Sequence, residues 1–545
     1  MFQVALAHGL GGLSSSSQES LPSEGAKKTM RRLSLVLVFS FFALPAGAKD
    51  FYIAANQAGA GSGTACSTAM PYTWFNNAAS WGAGAAQIGP GTTVHLCGTF
   101  TGTPGQQLLT VLGNGTSTTP ITIKFETNAI LTAPYWSPFG AINEDSKSYI
   151  TVDGGINGSI RNTANGTGRA YAQGTRAIYA PNCTGCVVQN VSIADMYVRT
   201  LATDLAITQT AVNCVYFLNS NNFTITHVTC HDAGWAFAGS GNNFTISYSN
   251  VYNVDHGLAD GPQGTTSGFS IHDNHFHGYV NWDSPTDAYH HDGLHLWGQN
   301  GGVVTNGAIY NNLFDGDSGV NITAHIYLQD SVMNVSVYNN VFLVPANRTL
   351  QAIWFQGVPN SGTLPGGVPT GNSAYNNFIS SGGHDHGAAI FATGQNNFTA
   401  INNVLLGGNT DIAIMSGGSL SSAGVNNNVY EDLFTDAGSY NSFGYQGHTY
   451  PDLASWQAAC GCDSMSKFVT ASKINASSLG QLLSGSVAIN AAANLLNISA
   501  GSLVPLSKDK VGALRPLSGN WDAGAYKYGS TALPSSPAGL TVTIQ

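Results

Sequence analysis

The segment Tyr289–Trp297 carries the densest set of side chains that could do chemistry in this chain. It holds three histidines (His290, His291 and His295), the carboxylate of Asp292 and two aromatic rings. Imidazole next to carboxylate can transfer protons or bind a metal near neutral pH. Asp, Asn and His also occur in turns, where they only hydrogen-bond the backbone. We favour the chemical interpretation of this segment over the structural one.

Acidic residues and histidines are concentrated around this segment, since ten of the 15 histidines lie between His227 and His325. Hydrolysis of a glycosidic bond needs two carboxyl groups, one as the acid and one as the base or nucleophile. Paired aspartates with assisting histidines therefore predict a glycoside hydrolase that acts on a polysaccharide. The residues that we predict to be catalytic are Asp260, His291, Asp292, His295, Asp317 and His325.

The balance of charges excludes several partners. The chain has a formal net charge of −10, and only 8% of its residues are charged. Nucleic-acid binding needs a basic surface, so we exclude a nucleic-acid partner, and an anionic membrane surface is disfavoured for the same reason. Between Thr200 and Ser466 the only basic side chain is Arg348. A polyuronate lyase that sets Arg and Lys against the substrate carboxylates is therefore disfavoured.

Other chemistries stay open for the same residues. A polysaccharide lyase or epimerase could use histidine and tyrosine, or bound Ca²⁺, for which the Asp-rich loops offer oxygen ligands. A transition metal is a further alternative, since His290, His291, His295 and His325 could converge with Asp292. The alternative outside the enzymes is a non-catalytic surface or matrix protein that binds glycans.

The N-terminal region has the pattern of an export signal. Met30 begins a short basic region, Leu33–Leu44 is an apolar run too short to span a bilayer, and Ala46–Ala48 has the form of a cleavage site. We predict that residues 1–48 are an N-terminal extension plus signal peptide, with Met30 as the true start. An uncleaved anchor is the alternative. After signal cleavage we expect a secreted protein, extracellular or periplasmic, with no membrane partner.

An even number of cysteines in an exported chain predicts disulfide bonds. A zinc site built from the two most closely spaced pairs is a remote alternative. By proximity in the sequence, we pair the eight cysteines as Cys66 with Cys97, Cys183 with Cys186, Cys214 with Cys230, and Cys460 with Cys462.

The body of the chain is a repeat of short strand-like runs, marked by two consecutive asparagines before an apolar residue. Helical periodicity is almost absent, so a parallel β-helix fits best, in which each coil stacks on the next and buries a continuous core. Asparagines at equivalent turns of successive coils can form a hydrogen-bonded ladder. Asparagine pairs of this kind begin at Asn221, Asn242, Asn311, Asn339, Asn376, Asn396 and Asn402.

Aligning the repeats predicts two columns of side chains that point outward, because side chains alternate along a strand. With coils about 4.8 Å apart, a column of rings offers flat apolar faces to a chain of sugars. Packing of these rings under a loop is the alternative. The first column is His295, Tyr327, Trp354 and Phe391, and the second is Trp297, Gln329, Gln356 and Thr393. The residues that we predict to bind substrate are Trp297, Tyr327, Gln329, Trp354 and Gln356.

Both ends of the repeat resemble a known group of proteins. Phe51–Ala55 and Ala85–Val94 are similar to the cap and first coil of the secreted right-handed parallel β-helix proteins of the pectate-lyase-like superfamily. Arg515–Tyr526 is similar to the C-terminal signature of that group. The resemblance implies an all-β fold, a single-stranded right-handed parallel β-helix (a solenoid) with N- and C-terminal caps. This fold hosts lyases, hydrolases, epimerases and adhesins, so it does not select an activity.

We therefore predict one β-helix domain over residues 49–530, followed by a loose tail over residues 531–545. We expect a monomer whose partner is a polysaccharide. No cofactor is required by the sequence, and Ca²⁺ is the candidate if one is used.

Overall fold

The computed structural model contains two compact units, Met1–Ala46 and Gly47–Gln545, and every residue that it describes lies in the second. The predicted signal peptide and most of the predicted tail fall outside the described residues. Among the described residues, no helix is long and apolar enough to cross a membrane. The described residues are 49–200, 211–261, 265–283, 290–298, 301–319, 322–344, 351–357, 364, 366–381, 387–407, 410–415, 418–432, 443–470, 473–496 and 506–531.

The first of three sheets contains 14 strands. Its strands are Lys49–Ala54 (β1), Met70–Pro71 (β2), Thr92–Cys97 (β3), Ile121–Phe125 (β6), Ile150–Asp153 (β9), Val187–Gln189 (β12), Thr224–Thr226 (β15), Thr245–Ser247 (β17), Ser270–His272 (β20), Ala308–Tyr310 (β24), Ser336–Tyr338 (β28), Ser373–Tyr375 (β31), Phe398–Ile401 (β34) and Leu420–Asn426 (β37).

The second sheet contains 24 strands. Its strands are Thr99–Thr101 (β4), Leu109–Thr110 (β5), Ile130–Ala133 (β7), Ile142–Asn143 (β8), Ser159–Asn162 (β10), Thr175–Tyr179 (β11), Ser192–Ala194 (β13), Val212–Phe217 (β14), Thr229–Gly239 (β16), Asn250–Asp260 (β18), His275–His277 (β21), His291–Trp297 (β22), Leu313–Asp315 (β25), Ile322–Gln329 (β26), Val341–Val344 (β29), Gln351–Gln356 (β30), Phe378–Ser381 (β32), Ala388–Thr393 (β33), Val404–Leu406 (β35), Thr410–Met415 (β36), Val429–Asp432 (β38), Phe443–Tyr445 (β39), His448–Tyr450 (β40) and Lys467–Thr470 (β41).

The remaining elements are short. The third sheet has three strands, Thr265–Ser267 (β19), Val303–Thr305 (β23) and Val332–Met333 (β27). In the described residues, the α-helices are Tyr72–Phe75 (α1) and Leu453–Cys460 (α2), and the 3₁₀ turns are Cys66–Thr68, Ala78–Ser80 and Val280–Trp282.

The pairing of these strands is that of a parallel β-helix, which confirms the predicted all-β parallel β-helix fold. In the middle coils, β20, β21 and β22 follow one another along the chain, and each pairs with its counterpart β24, β25 or β26 in the next coil. Among the named strands, every pairing is parallel except that of β39 with β40. Equivalent residues of successive coils therefore lie side by side, so a residue type repeated along the sequence becomes a column in space.

Buried apolar residues form the interior columns. In the first sheet, Ile246, Ile271 and Ile309 are in register and fully buried. In the second sheet, the rings of Phe276, Phe314 and Phe342 stack with centroids 5.4 and 4.8 Å apart. Such aliphatic and aromatic side chains favour strands and fill a narrow core without polar atoms.

The repeated asparagines have two structural roles. In the pairs that begin at Asn311, Asn339, Asn376 and Asn402, the first residue has a positive φ (57° for Asn311 and 54° for Asn339) and makes the left-handed turn that asparagine tolerates. The second residue of these pairs is buried and forms the predicted ladder, in which each Nδ2 donates to the Oδ1 of the next coil at 3.0–3.1 Å. In the pairs that begin at Asn221, Asn242 and Asn396, the second residue is exposed and makes the left-handed turn. The ladder residues are Asn274, Asn312, Asn340, Asn377, Asn403 and Asn428.

The cysteines pair as predicted, and no described cysteine is free. The disulfides are Cys66–Cys97, Cys183–Cys186, Cys214–Cys230 and Cys460–Cys462.

The C-terminal segment (residues 473–496 and 506–531) packs against the side of the coils. Its Trp521 lies in one buried apolar cluster with Tyr338 and Tyr375 of the first sheet. The guanidinium of Arg515 is almost fully buried and donates to Asn339 Oδ1 at 3.0 Å. The residues of the predicted C-terminal signature thus contact the flank of the central coils.

Candidate active site

The site lies where β18, β22 and β26 run side by side. His256 is opposite Asp292, which is opposite Ala324 in the next coil. Three residues further along the strands, Ala259 is opposite His295, which is opposite Tyr327. The strand register thus forms two columns on the second sheet, one that contains His256 and Asp292 and one that contains His295 and Tyr327.

Between these columns, two consecutive residues of each strand face the core, Gly257 and Leu258 in β18 and Gly293 and Leu294 in β22, so the strand turns a corner there. A Cβ atom added to Gly257 would lie 2.6 Å from the Phe276 ring, and one added to Gly293 would lie 3.0 Å from the Phe314 ring. Both glycines therefore face the core, as does the following leucine in each strand. Because of this corner, residues three apart, such as Asp292 and His295, lie on the same side of the sheet.

Three imidazoles converge on one carboxylate oxygen. Asp292 Oδ2 lies 3.1 Å from His290 Nε2, 3.4 Å from His256 Nε2 and 3.6 Å from His295 Nδ1. One ligand atom from each of these four residues lies within 4.8 Å of every other. We call these four residues the His/Asp cluster. His290 is its most exposed member, with 41% of its side-chain surface accessible.

Second partners fix the orientation of the cluster. His256 Nδ1 donates to Asp255 Oδ2 at 2.6 Å, and His295 Nε2 donates to Gln329 Oε1 at 2.9 Å. The other carboxylate oxygen of Asp292 accepts the backbone N–H of Ala324 at 2.9 Å. Each of these bonds occupies one polar atom of the side chain and leaves the other directed at the centre of the cluster. The atoms at the centre are His256 Nε2, His295 Nδ1 and Asp292 Oδ2.

The pKa values inside the cluster are moved by burial and by charge. Burial lowers the pKa of His256, but the carboxylates of Asp255 and Asp292 outweigh it and raise the value to about 9. Burial lowers the pKa of His295 to about 3, although Asp292 opposes the shift. Burial raises the pKa of Asp292, but His290, His256 and His295 together hold it below its usual range. The cluster is thus a strongly coupled set of charges.

Several predicted catalytic residues lie elsewhere. Asp260 is opposite the inward Leu296, four residues or about 13 Å along the strand from Asp292, and burial raises its pKa well above the usual range. His325 follows Gly293 in the inward column, where it lies between Phe314 and Phe342, with ring centroids 5.5 and 6.0 Å away. Both positions are interior, which corrects the expectation that these groups face a common cleft.

Two further predicted residues flank the cluster without joining it. His291 is buried, with Nε2 at 3.0 Å from Ser318 O and 3.3 Å from Asp283 Oδ1. Asp317 is exposed in a turn, where its Oδ1 accepts the N–H of Gly319 at 3.0 Å. Of the six predicted catalytic residues, the structure therefore brings only Asp292 and His295 together.

The sequence contains a signal for the residues that the prediction missed. Gly257-Leu258 and Gly293-Leu294 are the same dipeptide in successive long strands. Aligning the two dipeptides places His256 opposite Asp292, as in the structure. With Asp255 and His290, His256 completes a group that strand alternation alone does not assemble.

The predicted column of rings is present and starts at the cluster. His295, Tyr327, Trp354 and Phe391 are in register, with successive ring centroids 4.6, 4.7 and 5.4 Å apart. Trp354 and Phe391 are partly exposed, whereas Tyr327 is only 4% exposed. We call these four residues the ring column.

The predicted second column is present beside it. Trp297, Gln329, Gln356 and Thr393 occupy equivalent positions in the four strands. The hydroxyl of Tyr327 donates to Gln356 Oε1, and both glutamines are largely buried. Of the predicted substrate-binding residues, Trp297 and Trp354 have accessible surface, while Tyr327, Gln329 and Gln356 are largely buried.

Comparison with known proteins finds similar solved structures but no match by sequence. No protein-family model matches the chain, and no curated protein matches it significantly. The pectate lyase Pel9A is 16% identical, with a TM-score of 0.45 over 88% of this chain and 96% of its own. The Streptococcus pneumoniae surface protein and adhesin PfbA is 15% identical, with a TM-score of 0.46 over 65% of this chain and 92% of its own.

A third solved structure, the complex of XylC with xylose, is 10% identical, with a TM-score of 0.45 over 88% of this chain and 98% of its own. These likenesses are too distant to carry an activity to this chain. The pairing of its own strands defines it as a parallel β-helix protein, and the site must be interpreted from its own residues.

Proposed function

We propose that this protein is a secreted carbohydrate-active enzyme that binds a polysaccharide along the ring column and acts on it at the His/Asp cluster. The observation that carries the proposal is the continuity of the two, since His295 belongs to both. The four disulfide bonds fit an exported protein, because such bonds persist in oxidising compartments.

The ring column suits an extended chain of sugars. Its members repeat at 4.6–5.4 Å, so the column crosses successive coils and leads from the partly exposed Phe391 and Trp354 toward His295. The partly exposed Trp354 and Phe391 offer apolar faces, and Trp297 lies beside His295 at 4.3 Å between ring centroids. A ligand that follows this column would end at the His/Asp cluster.

The geometry favours elimination over hydrolysis. Hydrolysis places the glycosidic bond between two carboxyl groups. The second carboxylate near Asp292 is Asp255, but the imidazole of His256 fills the space between them. Elimination instead removes the proton on the carbon next to a uronate carboxylate, forms a carbon–carbon double bond and breaks the bond to the glycosidic oxygen. That oxygen leaves with the next sugar and takes up a proton, and imidazole or phenol groups can transfer such protons. We therefore propose a uronate-containing polysaccharide as the substrate.

The test is a panel of neutral and uronate-containing polysaccharides, with products followed in two ways. Elimination produces an unsaturated uronic acid with new ultraviolet absorbance, whereas hydrolysis releases reducing ends without it. We expect the absorbance on at least one polyuronate. Reducing ends alone would contradict elimination, and binding without either product would make the protein a glycan-binding protein rather than an enzyme.

Matched variants locate the activity. We expect Asp292→Asn to reduce turnover at least 100-fold, whereas Asp317→Asn, the same change in an exposed turn, leaves it unchanged. Trp354→Ala should raise KM with little change in kcat, and Tyr248→Ala, which removes an exposed ring elsewhere, should not. Equal losses in Asp292→Asn and Asp317→Asn would place the reaction elsewhere.

A further inference from the structure

We propose that the His/Asp cluster binds one divalent transition-metal ion of the zinc class through His256 Nε2, His290 Nε2, His295 Nδ1 and Asp292 Oδ2. The binding stands independently of the proposed function. The role of the ion at the sugar, in contrast, rests on that function.

The distances match a tetrahedral site. Zinc–nitrogen bonds of about 2.0–2.1 Å in a tetrahedron put neighbouring ligand atoms about 3.3–3.4 Å apart. The distances from Asp292 Oδ2 to the three imidazole nitrogens are 3.1, 3.4 and 3.6 Å. An ion at the centre would therefore reach all four atoms with small side-chain adjustments.

The hydrogen bonds of two histidines orient the other ring nitrogens toward the centre. His256 Nδ1 and His295 Nε2 point away from the centre and donate to Asp255 and Gln329. The opposite nitrogens, His256 Nε2 and His295 Nδ1, therefore face Asp292 Oδ2. This is the arrangement of metal-bound histidines, which typically donate their other N–H to a carboxylate or carbonyl oxygen.

The central atoms are buried and lack other partners. Asp292 Oδ2 and His290 Nε2 are buried and make no hydrogen bond with the described residues. Within the described part of the chain, every ion pair of Asp292 is to a histidine. A buried carboxylate surrounded by imidazoles in this way is a common arrangement for a metal and an expensive one without compensation.

The donor set selects the metal class. Three nitrogens and one oxygen suit zinc and its first-row neighbours, whereas Ca²⁺ takes six to eight oxygen ligands. Ca²⁺, the cofactor considered from the sequence, therefore fits this cluster poorly. The ion would also supply positive charge for a uronate carboxylate, since Arg348 is the only Lys or Arg in the sequence between Thr200 and Ser466.

A second histidine cluster serves as the matched control. His275, His277 and Asp315 also lie within ligand distance of one another. His275 Nε2 and Asp315 Oδ1, however, are 2.6 Å apart, a direct hydrogen bond that leaves no room for an ion between them. These side chains are also partly exposed, so we expect no tight metal binding there.

The experiment measures metal binding by the full chain without any sugar. Metal-free protein is titrated with Zn²⁺, Co²⁺ or Ca²⁺ by calorimetry, and Co²⁺ coordination is followed by its visible spectrum. We expect one equivalent of Zn²⁺ or Co²⁺, an intense tetrahedral Co²⁺ spectrum, and at least 100-fold weaker binding in His295→Ala and His290→Ala. His275→Ala should bind as the unmodified protein does.

The outcomes separate the two proposals. No stoichiometric Zn²⁺ or Co²⁺ binding, binding of Ca²⁺ alone, or equal loss in His275→Ala would overturn the metal site. His290 is the most exposed ligand, so His290→Ala tests the site even if a buried variant fails to fold. Sugar cleavage that is unaffected by chelation would leave the proposed function standing without the metal. Metal binding without any sugar product would leave the metal site standing and contradict the proposed enzymatic function.

Discussion

Glu144 offers a quantitative test of the interior as the structure defines it. Its side chain is fully buried, neither carboxylate oxygen makes a hydrogen bond, and one of them lies within 4.8 Å of a sulfur atom of Cys183 and of Cys186. Burial raises its pKa from 4.5 to about 8. Between pH 4.5 and about pH 8, the folded protein therefore keeps a proton on Glu144 that the unfolded chain has already released.

The sign of the effect follows from this difference. Stability that is fully present below pH 4.5 is lost progressively as the pH rises toward 8, because the unfolded chain binds fewer protons. One pKa unit corresponds to about 1.4 kcal/mol, so the loss between pH 5 and pH 8 is about 3 to 4 kcal/mol. Glu144→Gln keeps the shape of the side chain and removes the titrating group. Its free energy of unfolding should therefore rise relative to that of the parent by about 3 to 4 kcal/mol between pH 5 and pH 8.

The assay is urea unfolding at pH 5, 6, 7 and 8 with the disulfides intact. Asp145→Asn, the same type of change at the exposed neighbouring residue, is the control and should show no such trend. A difference between Glu144→Gln and the parent that stays constant with pH would refute the placement of this carboxyl in the interior.

Three further changes test other parts of the structure. Gly293→Ala should cost about 1–3 kcal/mol, since its Cβ would lie 2.4 Å from His325 O, and unchanged unfolding would contradict the inward corner. Asn340→Leu should cost at least about 3 kcal/mol in urea unfolding, because it removes the buried hydrogen bonds that the Asn340 side chain makes with Asn312, Asn377 and Ile309 O. Asp260→Asn should stabilise the protein at pH 7 relative to pH 4, because burial raises the pKa of Asp260, and a loss of stability would argue that this carboxylate is charged.

The fold could be predicted from the sequence because a parallel β-helix converts repetition directly into columns. Asparagines recur at equivalent turns of successive coils, where they make left-handed turns or form the ladder. The ring column followed from alternation in four aligned strands for the same reason. These features depend only on local pattern and on stacking.

The site was harder to predict because it lies at a corner. Strict alternation from Leu294 correctly places His295 and Trp297 outward, but it fails on the N-terminal side, where Gly293 and Leu294 both face inward. His325, at the position of Gly293, consequently enters the core. Alternation in β18, in contrast, places Asp260 inward with Leu258, so that residue could have been recognised as interior from the sequence.

The lateral packing of the C-terminal segment sets how the repeat can change length. Arg515 and Lys510 bond to Asn339 and Asn311, while Asn376 and Asn402 bond to Asp522 and Ala493. The C-terminal segment is thus hydrogen-bonded to four successive coils. Insertion or deletion of a coil there would shift half of these contacts by about 4.8 Å. Gain or loss of whole coils over evolution should therefore be disfavoured between Asn311 and Asn402.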